Sequence, residues 1–133
     1  MTLMARQVER VRKIVTELGG AIAVPGDVGS VEDCGVVVHR VVKAFGGLNT
    51  LVNAAGSWVE DPLHAATYEQ IKSFVDTDVS GALQITRAAL PQLMKGGGRL
   101  VNINGLQGLI RVRPPVLYAT VESAVRGLCE SLR

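Results

Sequence analysis

The feature that most constrains the fold of this chain is an alternation of short apolar runs with longer segments of helical periodicity. Three runs indicate buried strands, at Ala21–Pro25, Leu48–Val52 and Arg99–Ile103. The segments between them repeat apolar residues every three or four positions, which is typical of helices that cover a sheet. Strands that alternate with helices form parallel βαβ units with right-handed crossovers. The sequence therefore predicts a single α/β domain over residues 1–133.

Capping signals define the helices of this pattern. Ser30 is placed to cap one helix, and Thr67 with Gln70 forms a capping box before another. The predicted helices cover residues 8–18, 31–45, 67–94 with a bend near 76–81, and 118–133. Residues 1–5 are apolar, but we expect them to be too short for an independent element.

Composition and charge exclude several classes of protein. The net charge is +2 and the basic residues are scattered, so we expect no nucleic-acid partner. No apolar run reaches the ~18 residues that cross a bilayer, so no membrane partner is expected either.

Cys34 and Cys129 lie in apolar helical patterns, which predicts buried free thiols in a reducing cytoplasm. A mitochondrial presequence in residues 1–15 is the less favoured alternative. His39 and His64 lack ligand spacing, so we predict no metal site.

Polar residues follow the predicted strands, at the end where open parallel sheets bind ligands. They are Gly26-Asp27-Val28, Asn53-Ala54-Ala55-Gly56 and Asn104-Gly105. Tyr118 stands thirteen residues after Gly105 and opens the last helix. In this order and spacing, the segments resemble the short-chain dehydrogenase/reductase family over nearly the whole chain. Taken singly, each segment is better explained as a turn or a strand-end hydrogen-bonding residue.

The resemblance implies a partial Rossmann-like, doubly wound parallel sheet of about three strands with flanking helices. The family's first βα unit with its Gly-rich turn has no counterpart in this sequence, and neither do its C-terminal strands. Thr2–Arg6 is similar to the tail of the family's second strand. In the family sheet, strands one and two lie between the third and the fourth. We therefore expect Ala21–Pro25 to lack its neighbours, and the chain alone to be unstable, rearranged or dependent on association.

The cofactor implied by the resemblance is NAD or NADP. The implied binding residues are Arg6, Asp27, Val28, Asn53, Ala54, Ala55, Gly56 and Tyr118. Family members that prefer NADP often carry Arg after the second strand, so Arg6 favours NADP; an ordinary exposed Arg at a helix start is the alternative. The missing Gly-rich turn weakens the expected binding, because that turn holds the cofactor pyrophosphate.

The catalytic set of the family is altered in this chain. Its members use Asn, Ser, Tyr and Lys, and the corresponding positions here are Asp78, Gly105, Tyr118 and Glu122. A cation beside Tyr lowers its pKa, whereas a carboxylate raises it. Loss of the Ser hydroxyl also removes a donor to the substrate oxygen. We therefore expect little or no NAD(P)-dependent carbonyl or alcohol oxidoreductase activity. A new acid/base pair of Asp78 and Glu122 is less favoured than two unconstrained positions in a decayed site.

The remaining expectations concern substrate and partners. The loop 106–117 is apolar, which implies a small apolar carbonyl or alcohol substrate, with Arg111 and Arg113 facing solvent rather than an anion. The helices near 79–94 and 118–133 resemble the family's subunit-contact helices. They predict a homo-oligomer or association with an intact relative. A non-catalytic oligomerising pseudoenzyme and a fragment of a longer gene product are the alternatives to an enzyme.

Overall fold

The computed structural model describes residues 1–58, 61–105 and 115–132. Strands alternate with helices throughout these residues, which confirms the predicted α/β class. The elements are β1 Thr2–Ala5, α1 Val8–Leu18, β2 Ile22–Pro25, α2 Val31–Phe45, β3 Thr50–Asn53, α3 Tyr68–Val75, a π-helical turn Asp76–Ser80, α4 Gly81–Lys95, β4 Arg99–Asn102 and α5 Val116–Ser131.

The predicted caps are present. The Ser30 hydroxyl accepts a hydrogen bond from the Asp33 N–H at 3.2 Å, which starts α2. Thr67 and Gln70 form the reciprocal capping box of α3. The bend predicted near residue 76 is the π-helical turn, and the last helix starts at Val116 rather than at Tyr118.

The strands form two parallel pairs, β1 with β2 and β3 with β4. Residues 1–5 form strand β1, as the likeness of Thr2–Arg6 to the family's second strand implies, although their length alone suggested no independent element. The expectation that Ala21–Pro25 lacks its neighbours was wrong on one edge, because Thr2–Ala5 pairs with Ile22–Pro25 over its full length. Pairing with a distant strand holds so short an element in place.

One hydrophobic cluster joins the two strand pairs. Its buried residues come from β2, α2 and α4, and are Val24, Cys34, Val37 and Ile85. Met4 of β1 and Leu51 of β3 both pack against it. Helices α2 and α4 therefore lie on one face of both pairs. Helix α1 contacts β1 and β2 but contributes nothing to this cluster, so it covers the opposite face.

A second cluster lies beneath α5. Phe74, Leu117 and Val121 are its buried residues, and Tyr118 packs at its edge. The Cys34 and Cys129 thiols are both free; Cys34 is buried, as predicted, whereas Cys129 is half-buried. No helix within the described part of the chain is long and apolar enough to cross a membrane.

Candidate functional site

A cavity of about 280 Å³ opens at the carboxyl ends of β3 and β4. Two segments that follow strands border it, 53–57 and 103–105, together with one face of α5. The four positions of the altered catalytic set, Asp78, Gly105, Tyr118 and Glu122, all line this cavity. The structure thus brings together residues that lie as far as 44 positions apart, because 122 − 78 = 44.

Tyr118 is held in the cavity by two other aromatic rings. The Trp58 ring meets it edge-on with ring centroids 4.6 Å apart, and the Phe74 ring stacks at 6.2 Å. Burial raises the pKa of Tyr118, and the Glu122 carboxylate raises it further through its charge and a hydrogen bond. The charge of Asp78 adds in the same direction. The predicted direction of the Glu122 effect agrees with this, but sequence reasoning missed burial, which is the larger cause.

Glu122 is buried one helical turn beyond Tyr118, with 7% of its surface exposed. Its carboxylate accepts a hydrogen bond from the Gly105 N–H and lies beside Tyr118, whose pKa it raises. The Glu122 main-chain carbonyl also accepts a hydrogen bond from Asn104 Nδ2 at 2.9 Å. The residue therefore ties the loop after β4 to α5. It is not the unconstrained position that we expected.

Asp78 is equally constrained. It lies in the π-helical turn and is only 8% exposed. Its Oδ2 accepts a 2.7 Å hydrogen bond from the Ser57 hydroxyl, and both carboxylate oxygens lie 3.1 Å from the Ser57 N–H. A Cβ on Gly56 would lie 3.2 Å from Asp78 Oδ1, so the loop after β3 passes close to this carboxylate. The expectation of a free position was wrong because a buried carboxylate needs donors, and Ser57 supplies them.

Asn53 joins the ends of the paired strands. Its side chain is buried and donates from Nδ2 to Asn102 Oδ1 at 3.1 Å. Its Oδ1 accepts from the Ala55 N–H at 3.4 Å, which orders the segment Ala54–Gly56. Asn102 in turn donates to Cys129 Sγ at 3.1 Å. Asn53 therefore has the structural role of a strand-end hydrogen-bonding residue in addition to its place in the cavity wall.

The other predicted binding residues lie in a different cavity, of about 480 Å³, at the carboxyl ends of β1 and β2. Arg6 and Asp27 border it, with Nη1 and Oδ2 3.8 Å apart and both side chains largely solvent-accessible. Asp27 Oδ1 accepts from the Gly29 N–H at 2.9 Å, so Asp27 also shapes the turn. Val28 instead faces inward against the hydrophobic cluster. Of the three predicted residues here, only Arg6 and Asp27 face open space.

The π-helical turn stands between the two cavities. A Cβ on Gly29 would lie 3.8 Å from the Asp76 carbonyl oxygen, and a Cβ on Gly56 would meet Asp78. The ends of β2 and β3 therefore point to the same turn. The strand pairs consequently share one direction, and both cavities lie at one edge of the fold.

The chemistry available at the smaller cavity is limited. Its described lining residues include a phenol and two carboxylates but no cationic side chain. The raised pKa of Tyr118 keeps its phenol protonated near neutral pH and makes the phenolate harder to form. No group of three or more His, Cys, Asp or Glu within the described ranges could hold a metal ion.

The predicted substrate loop and three residues missed by sequence reasoning complete the site. Leu106–Pro114, including Arg111 and Arg113, lies outside the described residues, so the predicted substrate loop is seen only at Pro115–Leu117. Sequence reasoning missed Ser57, Trp58 and Asn102. Their contacts are to residues distant in sequence, and the one available signal was their position just after or at the end of a strand.

Comparison with known proteins identifies the family. The sequence pattern of the short chain dehydrogenase family matches residues 1–133. The 11-beta-hydroxysteroid dehydrogenase-like 2 protein of Arabidopsis thaliana is 32% identical over 142 residues, which cover 100% of this chain and 45% of the relative. A short-chain dehydrogenase from Streptomyces avermitilis superposes with a TM-score of 0.89 at 28% identity, covering 98% of this chain and 49% of that one.

A further solved structure, ElxO with NADP bound, superposes with a TM-score of 0.85 at 26% identity, and covers 96% of this chain and 54% of that one. This chain therefore spans about half the length of the proteins that it matches. The match of the family pattern extends over all the residues that build the two cavities. The chain belongs to the short-chain dehydrogenase family.

Proposed function

We propose that this chain descends from NAD(P)-dependent oxidoreductases of carbonyls and alcohols, and that it has little or no turnover of its own. One observation carries the proposal. The Glu122 carboxylate is buried beside Tyr118, raises the pKa of its phenol, and accepts a hydrogen bond from the Gly105 N–H. A carboxylate there favours the phenol over the phenolate, whereas the resemblance implies a cation there. The pKa of Tyr118 therefore stays above the range in which a phenol exchanges protons readily at neutral pH.

The two cavities fit a dinucleotide unequally. The larger one offers volume and two cations, the solvent-accessible Arg6 and Lys72, of which Arg6 suits a phosphate group and favours NADP over NAD. The carboxylates of Asp27, Glu69 and Asp76 border the same cavity and oppose an anion there. When bound, the cofactor would supply or accept a hydride. At the smaller cavity Asn53, Gly56 and Tyr118 line the wall, but Asp78 and Glu122 add negative charge. We propose weak cofactor binding that depends mainly on the Arg6 end.

A turnover assay tests the inactive state. Purified chain is incubated with NADPH and small apolar aldehydes and ketones, and NADPH oxidation is followed by absorbance. We expect no rate above the uncatalysed background, and a gain only when Glu122→Lys and Gly105→Ser are combined. Turnover by the unaltered chain that disappears in Tyr118→Phe would overturn the proposal.

A binding assay tests the cofactor preference separately. NADPH and NADH are titrated by their fluorescence into the unaltered chain, Arg6→Ala and Arg12→Ala. Arg12 is the matched control because it is an exposed Arg that pairs with Glu9 on α1, away from both cavities. We expect NADPH to bind more tightly than NADH, and only Arg6→Ala to abolish the difference. Equal binding of both cofactors by the unaltered chain would contradict the preference.

A second candidate function is a non-catalytic role in association, through the helices predicted to contact another subunit. Leu83 and Met94 of α4 are 50% and 78% exposed, and Leu132 after α5 is 44% exposed. Exposed apolar side chains on these helices favour a homo-oligomer or a complex with an intact relative. Light scattering on the unaltered chain and on Leu83→Glu tests this, with the exposed Tyr68→Ser on α3 as control. A monomer at micromolar concentration would refute self-association.

The free thiols of Cys34 and Cys129 favour a reducing compartment, and we propose the cytoplasm. Pro115–Leu117 continues the apolar character of the predicted substrate loop, which supports a small apolar substrate for the ancestral reaction.

A further inference from the structure

Two buried negative charges face the smaller cavity. Asp78 and Glu122 both line it, and each is more than nine-tenths buried. Within the described ranges neither carboxylate forms an ion pair, and no cationic side chain lines the cavity. A charge taken out of water is costly unless a group of opposite charge accompanies it. The cavity therefore holds two carboxylates whose charge none of these residues neutralises.

Each carboxylate is fixed by a different loop at the strand ends. Asp78 accepts hydrogen bonds from Ser57, which follows β3, and Glu122 accepts one from the Gly105 N–H, which follows β4. Both charges act on a single phenol, because each of them raises the pKa of Tyr118. The two carboxylates consequently converge on the same part of the cavity, and they repel one another there.

The carboxylates keep acceptor positions for further donors. An ionised carboxylate offers about four such positions. The Gly105 N–H and the Tyr118 hydroxyl account for at most two of those on Glu122. On Asp78, the Ser57 N–H is shared between both oxygens, at 3.1 Å from each. A primary ammonium ion would supply three donors and the positive charge that the cavity lacks.

The rest of the cavity favours an organic cation over a metal ion. Its wall includes the apolar side chains of Ile103, Val121 and Val125, which suit a hydrocarbon group. Tyr118 also lines the cavity, and phenol rings attract cations. A metal ion would find too few ligands, since no group of three or more His, Cys, Asp or Glu in the described part of the chain could hold one.

We propose that the smaller cavity binds a small primary ammonium ion with an apolar group, the ammonium on Asp78 and Glu122 and the apolar group against Val121 and Val125. The altered catalytic positions then have a binding role of their own, with a preference for positive charge. This binding needs neither NADPH nor turnover. The inference therefore stands or falls separately from the proposed loss of oxidoreductase activity.

Three ligands of similar size and different charge test the proposal on the whole chain. Benzylammonium, benzyl alcohol and benzoate are titrated at neutral pH, and binding is followed by the emission of the single tryptophan. That residue, Trp58, reports on the cavity because its ring centroid lies 4.6 Å from that of Tyr118. We expect benzylammonium to bind about tenfold more tightly than benzyl alcohol, and benzoate to bind more weakly than both. Added NaCl should weaken the binding of benzylammonium alone.

Neutral variants of the same shape locate the site. Asp78→Asn and Glu122→Gln should each weaken the binding of benzylammonium about tenfold and leave that of benzyl alcohol unchanged. Glu130→Gln is the matched control, because it removes a carboxylate that pairs with Arg126 at the surface of the same helix. Far-UV circular dichroism shows whether each variant is folded.

The ligand series on the unaltered chain decides the question even where a variant does not fold. Equal binding of benzylammonium and benzyl alcohol, or no binding of benzylammonium at about 10 mM, would overturn the proposal. So would tighter binding of Mg²⁺ or Ca²⁺ than of benzylammonium, which would indicate a metal site instead. An equal loss of benzylammonium binding in Glu130→Gln would show that the ligand responds only to the overall charge of the chain, and would refute the site.

Discussion

Replacing Glu122 by Gln tests how the site controls Tyr118. The change removes a negative charge and keeps the shape of the side chain. Hydrogen bonds to a charged acceptor contribute about 1.5–3 kcal/mol, and those to a neutral one about 0.5–1.5 kcal/mol. The carboxylate accepts a hydrogen bond from the Gly105 N–H, and the amide oxygen of Gln can replace it in part. We therefore expect the free energy of unfolding at pH 8 to fall by about 1–2 kcal/mol.

The same substitution should lower the pKa of Tyr118. Burial still holds that pKa above its ordinary value, but the contribution of the Glu122 charge is gone. An unfolded Tyr titrates near ~10. Because the folded pKa is raised, the stability from this group is present below pH ~10 and is lost as the pH rises through the folded pKa. Above pH ~10 the unaltered chain therefore loses more stability than Glu122→Gln does. The difference between their free energies of unfolding should become smaller there.

The titration is followed by absorbance of the phenolate in a Tyr68→Phe background, since Tyr68 and Tyr118 are the two tyrosines of the chain. Urea denaturation at several pH values gives the stability. Glu130→Gln is the matched control, because Glu130 lies on the same helix and pairs with Arg126 at the surface. An unchanged or higher pKa of Tyr118 in Glu122→Gln would refute the reasoning about the site.

Three further substitutions have definite expected outcomes. Gly81→Ala should cost about 1–3 kcal/mol in urea denaturation, because its Cβ would lie 2.6 Å from Cγ2 of the stiff Val28 side chain; Gly35→Ala, with open space around it, is the control. Asp78→Asn should cost about 1–2 kcal/mol and shift the emission of the single tryptophan, since its donors lie in the adjacent loop. Phe74→Ala, which empties a site 1% exposed, should cost about 3–5 kcal/mol by thermal or urea denaturation; losses below 1 kcal/mol would contradict each account.

Sequence reasoning succeeded where structure is determined by neighbours in the chain. The Ser30 cap and the Thr67–Gln70 capping box each join residues three positions apart, and both are present. The relation of Tyr118 to Glu122 is likewise local, because one helical turn places them on the same face. Such features can be read from spacing alone.

Sequence reasoning failed where the contact that fixes the structure joins residues far apart in the sequence. β1 depends on pairing with β2 some twenty residues later, so the length and periodicity of residues 1–5 did not predict it, and only the family resemblance pointed to a strand there. Ser57 meets Asp78 across 21 positions, and Asn53 meets Asn102 across 49. The first contact holds the Asp78 carboxylate in place, and the second joins the ends of β3 and β4. They depend on how the strand ends come together, which a periodic pattern cannot specify.

The hydrogen bond between Glu122 and the Gly105 N–H couples these two positions of the site. Glu122→Lys alone would leave the Gly105 N–H without its acceptor, and Gly105→Ser alone would leave the carboxylate beside Tyr118. Only the Glu122 step loses an existing hydrogen bond, because a serine at position 105 keeps the main-chain N–H. The two residues share that one hydrogen bond, so the effects of the two changes on stability are not additive. The order in which the two substitutions are introduced therefore decides whether the chain passes through a less stable variant.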